Sequence, residues 1–118
     1  MKFYLYKNTV VTFLQGAEEA GLDLTELVPG SVDAAAEKHV PVVTRSGNTV
    51  TVNVGSVAHP MLPAHFIQWV AVETSQGSQI KYLKPETAPE VVFALAEGEE
   101  VVAVYEYCNL HGLWKTEL

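Results

Sequence analysis

Cysteine is nearly absent from this 118-residue chain, with Cys108 the single one. An internal disulfide is therefore impossible, and so is a zinc site built on two or four cysteines. Positive charge is scarce. Seven Lys and Arg stand against fourteen Asp and Glu, a net charge of −7. That balance argues against partnership with nucleic acid or an anionic membrane, since either needs a basic face. Long apolar runs are missing, and none approaches the ~20 residues of a membrane span. The first sixteen residues lack both an extended apolar core and a small-residue cleavage site, so the expected compartment is cytoplasmic. Repeats and low-complexity tracts are lacking too.

What is present is enough for a core. Hydrophobic residues make up 48% and charged residues 18%, which suits one packed domain, with room for a small appendage. The pattern is mostly β. Residues 3–6 and 9–14 read as short strands around Lys7-Asn8, and 16–21 could form one helical turn. Residues 22–28 run into the turn signal Pro29-Gly30, and a short helix could start over 31–36 before Val40-Pro41 forces extended backbone. From there the β signal is steadier. Strands are expected at 40–44, 49–54, 66–72, 80–83, 91–95, 101–107 and 113–115, separated by Gly- and Pro-bearing turns. Thr49 to Val54 alternates polar with Val, the period of a half-buried strand. Short strands at this spacing predict an all-β fold, an antiparallel sandwich. A boundary is expected near residues 30–36, dividing a strand-rich appendage over 1–36 from the sandwich over 37–118.

Four histidines accompany the lone cysteine. His39 precedes a predicted strand. His59 and His65 flank the loop Pro60-Met61-Leu62-Pro63, whose prolines reduce the entropy lost on ordering it. Cys108 and His111 share the loop after 101–107. Imidazole and thiolate are the side chains that hold borderline transition metals. Alone, each histidine reads more naturally as a surface or hydrogen-bonded residue, and a free cysteine as a small buried hydrophobe. Together, all five fall at loops or strand ends, and that combination points to a metal site.

Four motifs make the sequence recognisable. Glu37-Lys38-His39-Val40-Pro41-Val42, Val54-Gly55-Ser56-Val57-Ala58-His59-Pro60-Met61, His65-Phe66-Ile67-Gln68-Trp69 and Tyr107-Cys108-Asn109-Leu110-His111-Gly112 follow in order. From about residue 31 onward the chain resembles the superoxide reductases, the desulfoferrodoxin and neelaredoxin family. The resemblance implies an immunoglobulin-like sandwich holding one mononuclear iron per chain. His39, His59, His65 and His111 would be its equatorial ligands, and the Cys108 thiolate its axial one. The sixth position would stay open in the ferrous state. Glu37 matches the residue that can fill it after oxidation, and Lys38 matches the lysine beside it. The implied activity is reduction of superoxide to hydrogen peroxide, with an external donor such as rubredoxin restoring the ferrous iron. A homodimer or larger homo-oligomer is implied as well.

The chain departs from many relatives at its N-terminus. They carry a desulforedoxin-like domain whose four cysteines bind a second iron, whereas residues 1–30 here have none. Phe3, Tyr4, Leu5, Tyr6, Val10, Val11 and Phe13 suggest instead a packing role, for which a dimer interface is one place. Two other readings stay open. An electron carrier of the blue-copper type uses two His, one Cys and a weak Met; Met61 adjoins His59, but no Met follows Cys108 and four histidines are too many. A metal-free binding module on the same sandwich predicts little effect of Cys108→Ser.

Overall fold

The computed structural model describes residues 1–14 and 22–118. The helical turn expected over 16–21 lies outside the described residues. Strands β1 (Phe3–Tyr6) and β2 (Thr9–Thr12) form the first hairpin, with Tyr6 opposite Thr9. Lys7 and Asn8 close it with φ of 47° and 66°. Positive φ at both central residues gives a two-residue turn whose twist matches the strands. The short β3 (Thr25–Glu26) pairs with the other side of β1.

A single helical turn, α1 (Ala36–His39), follows. It begins at Ala36, the last residue of the stretch 31–36 over which a short helix was expected to start. Pro41 restricts Val40 to extended backbone, and φ −65°, ψ 121° there stops the helix. His39 is thereby left buried at its last position.

The remaining seven strands are β4 (Pro41–Ser46), β5 (Thr49–Val54), β6 (Ile67–Thr74), β7 (Gly77–Tyr82), β8 (Glu90–Ala94), β9 (Val101–Cys108) and β10 (Gly112–Glu117). One sheet runs β4-β5-β8 and the other β10-β9-β6-β7, with antiparallel pairing throughout. This is the sandwich expected from the strand spacing. β7 begins at Gly77, inside the expected turn. Its residues are largely exposed, so backbone pairing with β6 rather than burial defines this edge strand.

Between the sheets, Val50, Val52 and Val54 of β5 meet Val70 and Val72 of β6, Phe93 of β8 and Val104 of β9, all fully buried. Burial of each such side chain stabilises by about 1.5–3 kcal/mol. The outer face of the four-stranded sheet is covered as well. Ala71, Ala103, Tyr105 and Leu113 pack there with Phe3, flanked by Trp69 and Tyr107. The Phe3 ring centroid lies 5.0 Å from that of Trp69 and 5.2 Å from that of Tyr105. The N-terminal sheet thus seals the sandwich, while the loops at the end of β9 are left to carry other residues.

Candidate metal centre

Cys108 ends β9 on its inward-facing side, as Val104 does by the period of two. Opposite it, β6 carries a register shift between Ile67 and Trp69. A bulge of this kind bends a strand and re-aims its neighbours. Beyond the bulge Asn109 replaces the ladder: its backbone N–H donates to the Phe66 carbonyl (3.2 Å) and its Oδ1 accepts from the Phe66 N–H (3.0 Å). Its Nδ2 donates to the Ala64 carbonyl at 3.0 Å. One side chain therefore ties the His65 turn to the His111 turn. The His65 turn is closed in both directions, Leu62 N–H to His65 carbonyl at 2.9 Å and the reverse at 3.0 Å.

His39 arrives from α1, His59 from the segment after β5. Gly55 controls how closely those two approach. It has φ of 84°, and a Cβ there would lie 2.8 Å from both the Glu37 carbonyl oxygen and the Lys38 carbonyl carbon. The Glu37 carbonyl accepts from the Val57 N–H (2.9 Å) and the Ser56 hydroxyl (3.3 Å).

The five sequence-predicted metal residues come together. One ligand atom from each of His39, His59, His65, Cys108 and His111 lies within 4.8 Å of all the others. The imidazoles close a ring in the order 39, 59, 65, 111, with centroids 4.6 to 5.0 Å apart and neighbouring planes crossed by 77° to 83°. Cys108 Sγ lies 3.5 Å from His59 Nε2 and 4.0 Å from His111 Nδ1, members on opposite corners of that ring. The thiol therefore caps one face of the four nitrogens.

The donor chemistry calls for a cation. His39 Nδ1–H donates to the Ala35 carbonyl at 2.7 Å, and His59 Nδ1–H to the Pro60 carbonyl at 2.6 Å. Those bonds fix the tautomers and leave both Nε2 atoms as bare lone pairs. Yet the two Nε2 atoms are 3.1 Å apart, and His39 Nε2 is also 3.1 Å from His111 Nδ1. His65 Nε2 is buried with no partner among the described residues. Protonation does not relieve the crowding. Burial is the main cause that lowers the pKa of His39 and His65, and it lowers that of His59 to about 4. Neutral imidazoles with convergent lone pairs are what a borderline metal ion needs. Burial pushes the Cys108 thiol up, against the pull of the Leu110 and His111 backbone N–H groups on its sulfur. A bound cation deprotonates such a thiol.

Glu37 and Lys38 are exposed on α1. The Glu37 carboxylate stands outside the five-residue cluster, though its charge raises His39, and the Lys38 charge lowers His65. Two residues beside the cluster escape the sequence reading. Glu106 is fully buried, its two carboxylate oxygens have no partner among the described residues, and burial pushes its pKa up to about 9. Its signal was the period of two, which puts Glu106 on the same face as Cys108. Trp114 stacks on His39, with centroids 4.9 Å apart and planes at 28°. Its place three residues after His111, on a short strand, was the available hint.

The desulfoferrodoxin family model matches residues 31–117. A desulfoferrodoxin of Clostridium acetobutylicum is 40% identical over 127 aligned residues, covering 100% of this chain and 97% of its own. The crystal structure of the superoxide reductase from Treponema pallidum superposes with a TM-score of 0.81 at 43% identity, covering 98% of each chain. A one-iron superoxide reductase from Giardia intestinalis gives a TM-score of 0.58 at 30% identity, covering 70% of this chain and 99% of its own. A family match over most of the chain and a relative aligned along all of it leave one assignment: the chain belongs to the desulfoferrodoxin family.

Proposed function

We propose that this protein is a superoxide reductase, carrying out one-electron reduction of superoxide to hydrogen peroxide at a single non-haem iron. The observation that carries the reading is the closed ring of four imidazoles capped by one thiol, with lone pairs turned inward. When bound, iron supplies the electron and an open coordination position for a small anion. His39, His59 and His65 would hold it through Nε2, His111 through Nδ1, and Cys108 through Sγ. Four neutral imidazoles and one thiolate leave a ferrous site with a net charge of +1, which still attracts superoxide. The Cys108 thiolate, capping one face of the four nitrogens, would be a strong donor to the iron and would favour release of product.

Superoxide needs two protons as well as the electron. Lys38 sits on the exposed side of α1, and its ammonium supplies a local attraction and orients a water that delivers protons. Attraction must be local, because a molecule of net charge −7 repels the anion at long range. Glu37, one residue before, would supply a carboxylate to the iron once it is oxidised. The working division is an appendage over 1–36 and the iron domain over 37–118. With one cysteine in the whole chain, the appendage cannot build a four-cysteine iron site. Its apolar residues serve packing, including a homodimer or larger homo-oligomer. The donor that restores the ferrous state is a rubredoxin-like protein, and the compartment is the cytoplasm. No helix among the described residues is long and apolar enough to cross a membrane.

The test is metal content with the visible spectrum before and after oxidation. One iron per chain, a thiolate-to-ferric band on oxidation, and stoichiometric oxidation of the ferrous protein by superoxide are expected. An iron-loaded, oxidised protein without that band overturns the reading. Copper in place of iron would turn it into an electron carrier.

A further inference from the structure

Four imidazoles converge, but only two are held by their own rings. His39 and His59 each donate Nδ1–H to a backbone carbonyl. No such bond holds His65 or His111 among the described residues. The orientation of His111 therefore depends on the backbone of the turn between β9 and β10. Trp114 reaches that turn. Its Nε1–H donates to the His111 carbonyl at 3.0 Å. The same indole stacks on His39, at 4.9 Å and 28°. Trp114 is 6% exposed and lies across from Glu106 in the β9–β10 register. Gly30 approaches the indole, where a Cβ would sit 3.9 Å from ring atoms Cε3 and Cζ3, and the Gly30 N–H donates to the Leu113 carbonyl at 2.8 Å.

We propose that Trp114 is a positioning residue that braces two metal ligands from distant parts of the chain, His39 by stacking and His111 through its carbonyl. The physical reason is the separation of those ligands. They lie 72 residues apart in sequence, on a helical turn and a hairpin turn that share no backbone pairing. One rigid indole touching both fixes the angle between their planes, and through it the ligand field. Groups behind the ligands typically contribute a factor of about 10–100 in metal affinity or activity.

This inference rests on the iron reading, so its test separates the two. The iron-loaded full chain is compared with Trp114→Leu, Trp114→Phe and, as a control, Trp69→Leu. Trp69 stacks on Tyr107, 5.6 Å away and 7° from parallel, and packs against Phe3 in the outer layer. The readouts are the rate at which a chelator removes iron, the rhombicity of the ferric EPR signal, the energy of the thiolate band, and thermal unfolding. Trp114→Leu is expected to release iron about 10–100-fold faster and to change the EPR signal and band. Trp114→Phe, which keeps an aromatic face but loses the N–H, should shift both in the same direction by less. Trp69→Leu lowers the melting temperature while leaving the spectra alone. Equal iron release in Trp114→Leu and Trp69→Leu overturns the proposal. So does a wild-type EPR signal in Trp114→Phe, which decides the matter even if Trp114→Leu does not fold. A wild-type chain that binds no iron would defeat the functional reading instead.

Discussion

The two faces of the four-stranded sheet are both buried, yet they are built for different ends. Along β9 the inward residues Val104, Glu106 and Cys108 alternate with the outward residues Ala103, Tyr105 and Tyr107. The outward face is satisfied. Tyr105 donates its hydroxyl to Glu73 at 3.2 Å, Tyr107 stacks on Trp69, and Phe3 closes the layer. The inward face starts as plain valine packing and ends on groups that packing does not explain. Among the described residues, Glu106 has two carboxylate oxygens without partners, and His65 Nε2 beyond the strand is likewise unpartnered. Buried polar groups are almost always paired, so orphans clustered at one end of one face mark the place where another component belongs. Packing strength and chemical function thus separate across a single strand.

The sharpest way to break that separation is Cys108→Ser. It exchanges one small inward side chain and should keep the fold. It is expected to abolish the thiolate-to-ferric band and nearly all turnover, while iron stays on the histidines. Visible spectra and superoxide consumption measure this. A serine variant with wild-type turnover would place the chemistry somewhere other than the inward face.

Glu106 gives the next largest effect, read on the metal-free protein. Its pKa in the fold is about 9 against an ordinary 4.5, so the folded chain keeps a proton that the unfolded chain has lost. The stability this provides is complete below pH 4.5 and is lost as pH rises towards 9. Histidine works in the opposite sense: His59 is lowered to about 4 from 6.5, so its contribution grows as pH rises from 4 to 6.5. Between pH 7 and 9 the shifts of His39, His59 and His65 no longer act, but burial raises the Cys108 thiol as well, so the share of Glu106 is read as the difference between wild type and Glu106→Gln. Stability is expected to fall across that window by up to about 3 kcal/mol. Glu106→Gln should flatten the fall in denaturant titrations at pH 7 and 9. An unchanged slope would mean that the carboxyl is not held protonated.

On the outward face, Phe3→Ala should act on stability alone. Truncating a buried phenylalanine removes about 3 kcal/mol or more, here spent on keeping the N-terminal sheet docked. Calorimetry should show the loss while the iron band stays where it was. A shifted band would show that the two faces are coupled through β6 and β9.

Much of this arrangement was legible in the sequence. The strand at 49–54 shows clean alternation because only one of its faces is buried, and the structure returns the same boundaries. The five metal residues were visible through their placement at loops and strand ends, and they converge. Local geometry was less legible. The helical turn, expected to open somewhere over 31–36, opens only at Ala36, and it stops ahead of Val40-Pro41 as expected. β7 carries little apolar alternation, since it is an exposed edge, so its start at Gly77 left no pattern to read. Glu106 and Trp114 were hidden for a different reason. A glutamate in a strand reads as a solvent-facing residue, and a tryptophan as core, until the neighbouring ligands reveal which face each occupies.

The smallest effect belongs to a residue on neither face. Lys38 is exposed on the turn that delivers His39, so its charge works through water. At separations of 4–8 Å a unit charge pair in water gains about 0.5–1 kcal/mol, and that is roughly a two- to fivefold change in capture rate. Lys38→Ala should slow oxidation of the ferrous protein by superoxide by that factor in pulse-radiolysis kinetics. The difference between variant and wild type should shrink as ionic strength rises, because the Debye length contracts from ~10 Å at 0.1 M salt to ~3 Å at 1 M. Iron content, the visible band and stability should all stay at wild-type values, since Lys38 belongs to no buried layer. A rate indifferent to the mutation would mean that Lys38 does no steering, and a rate indifferent to salt as well would mean that charge does not govern capture. The division of labour would then be stricter still, with the inward end of one sheet face supplying both capture and chemistry.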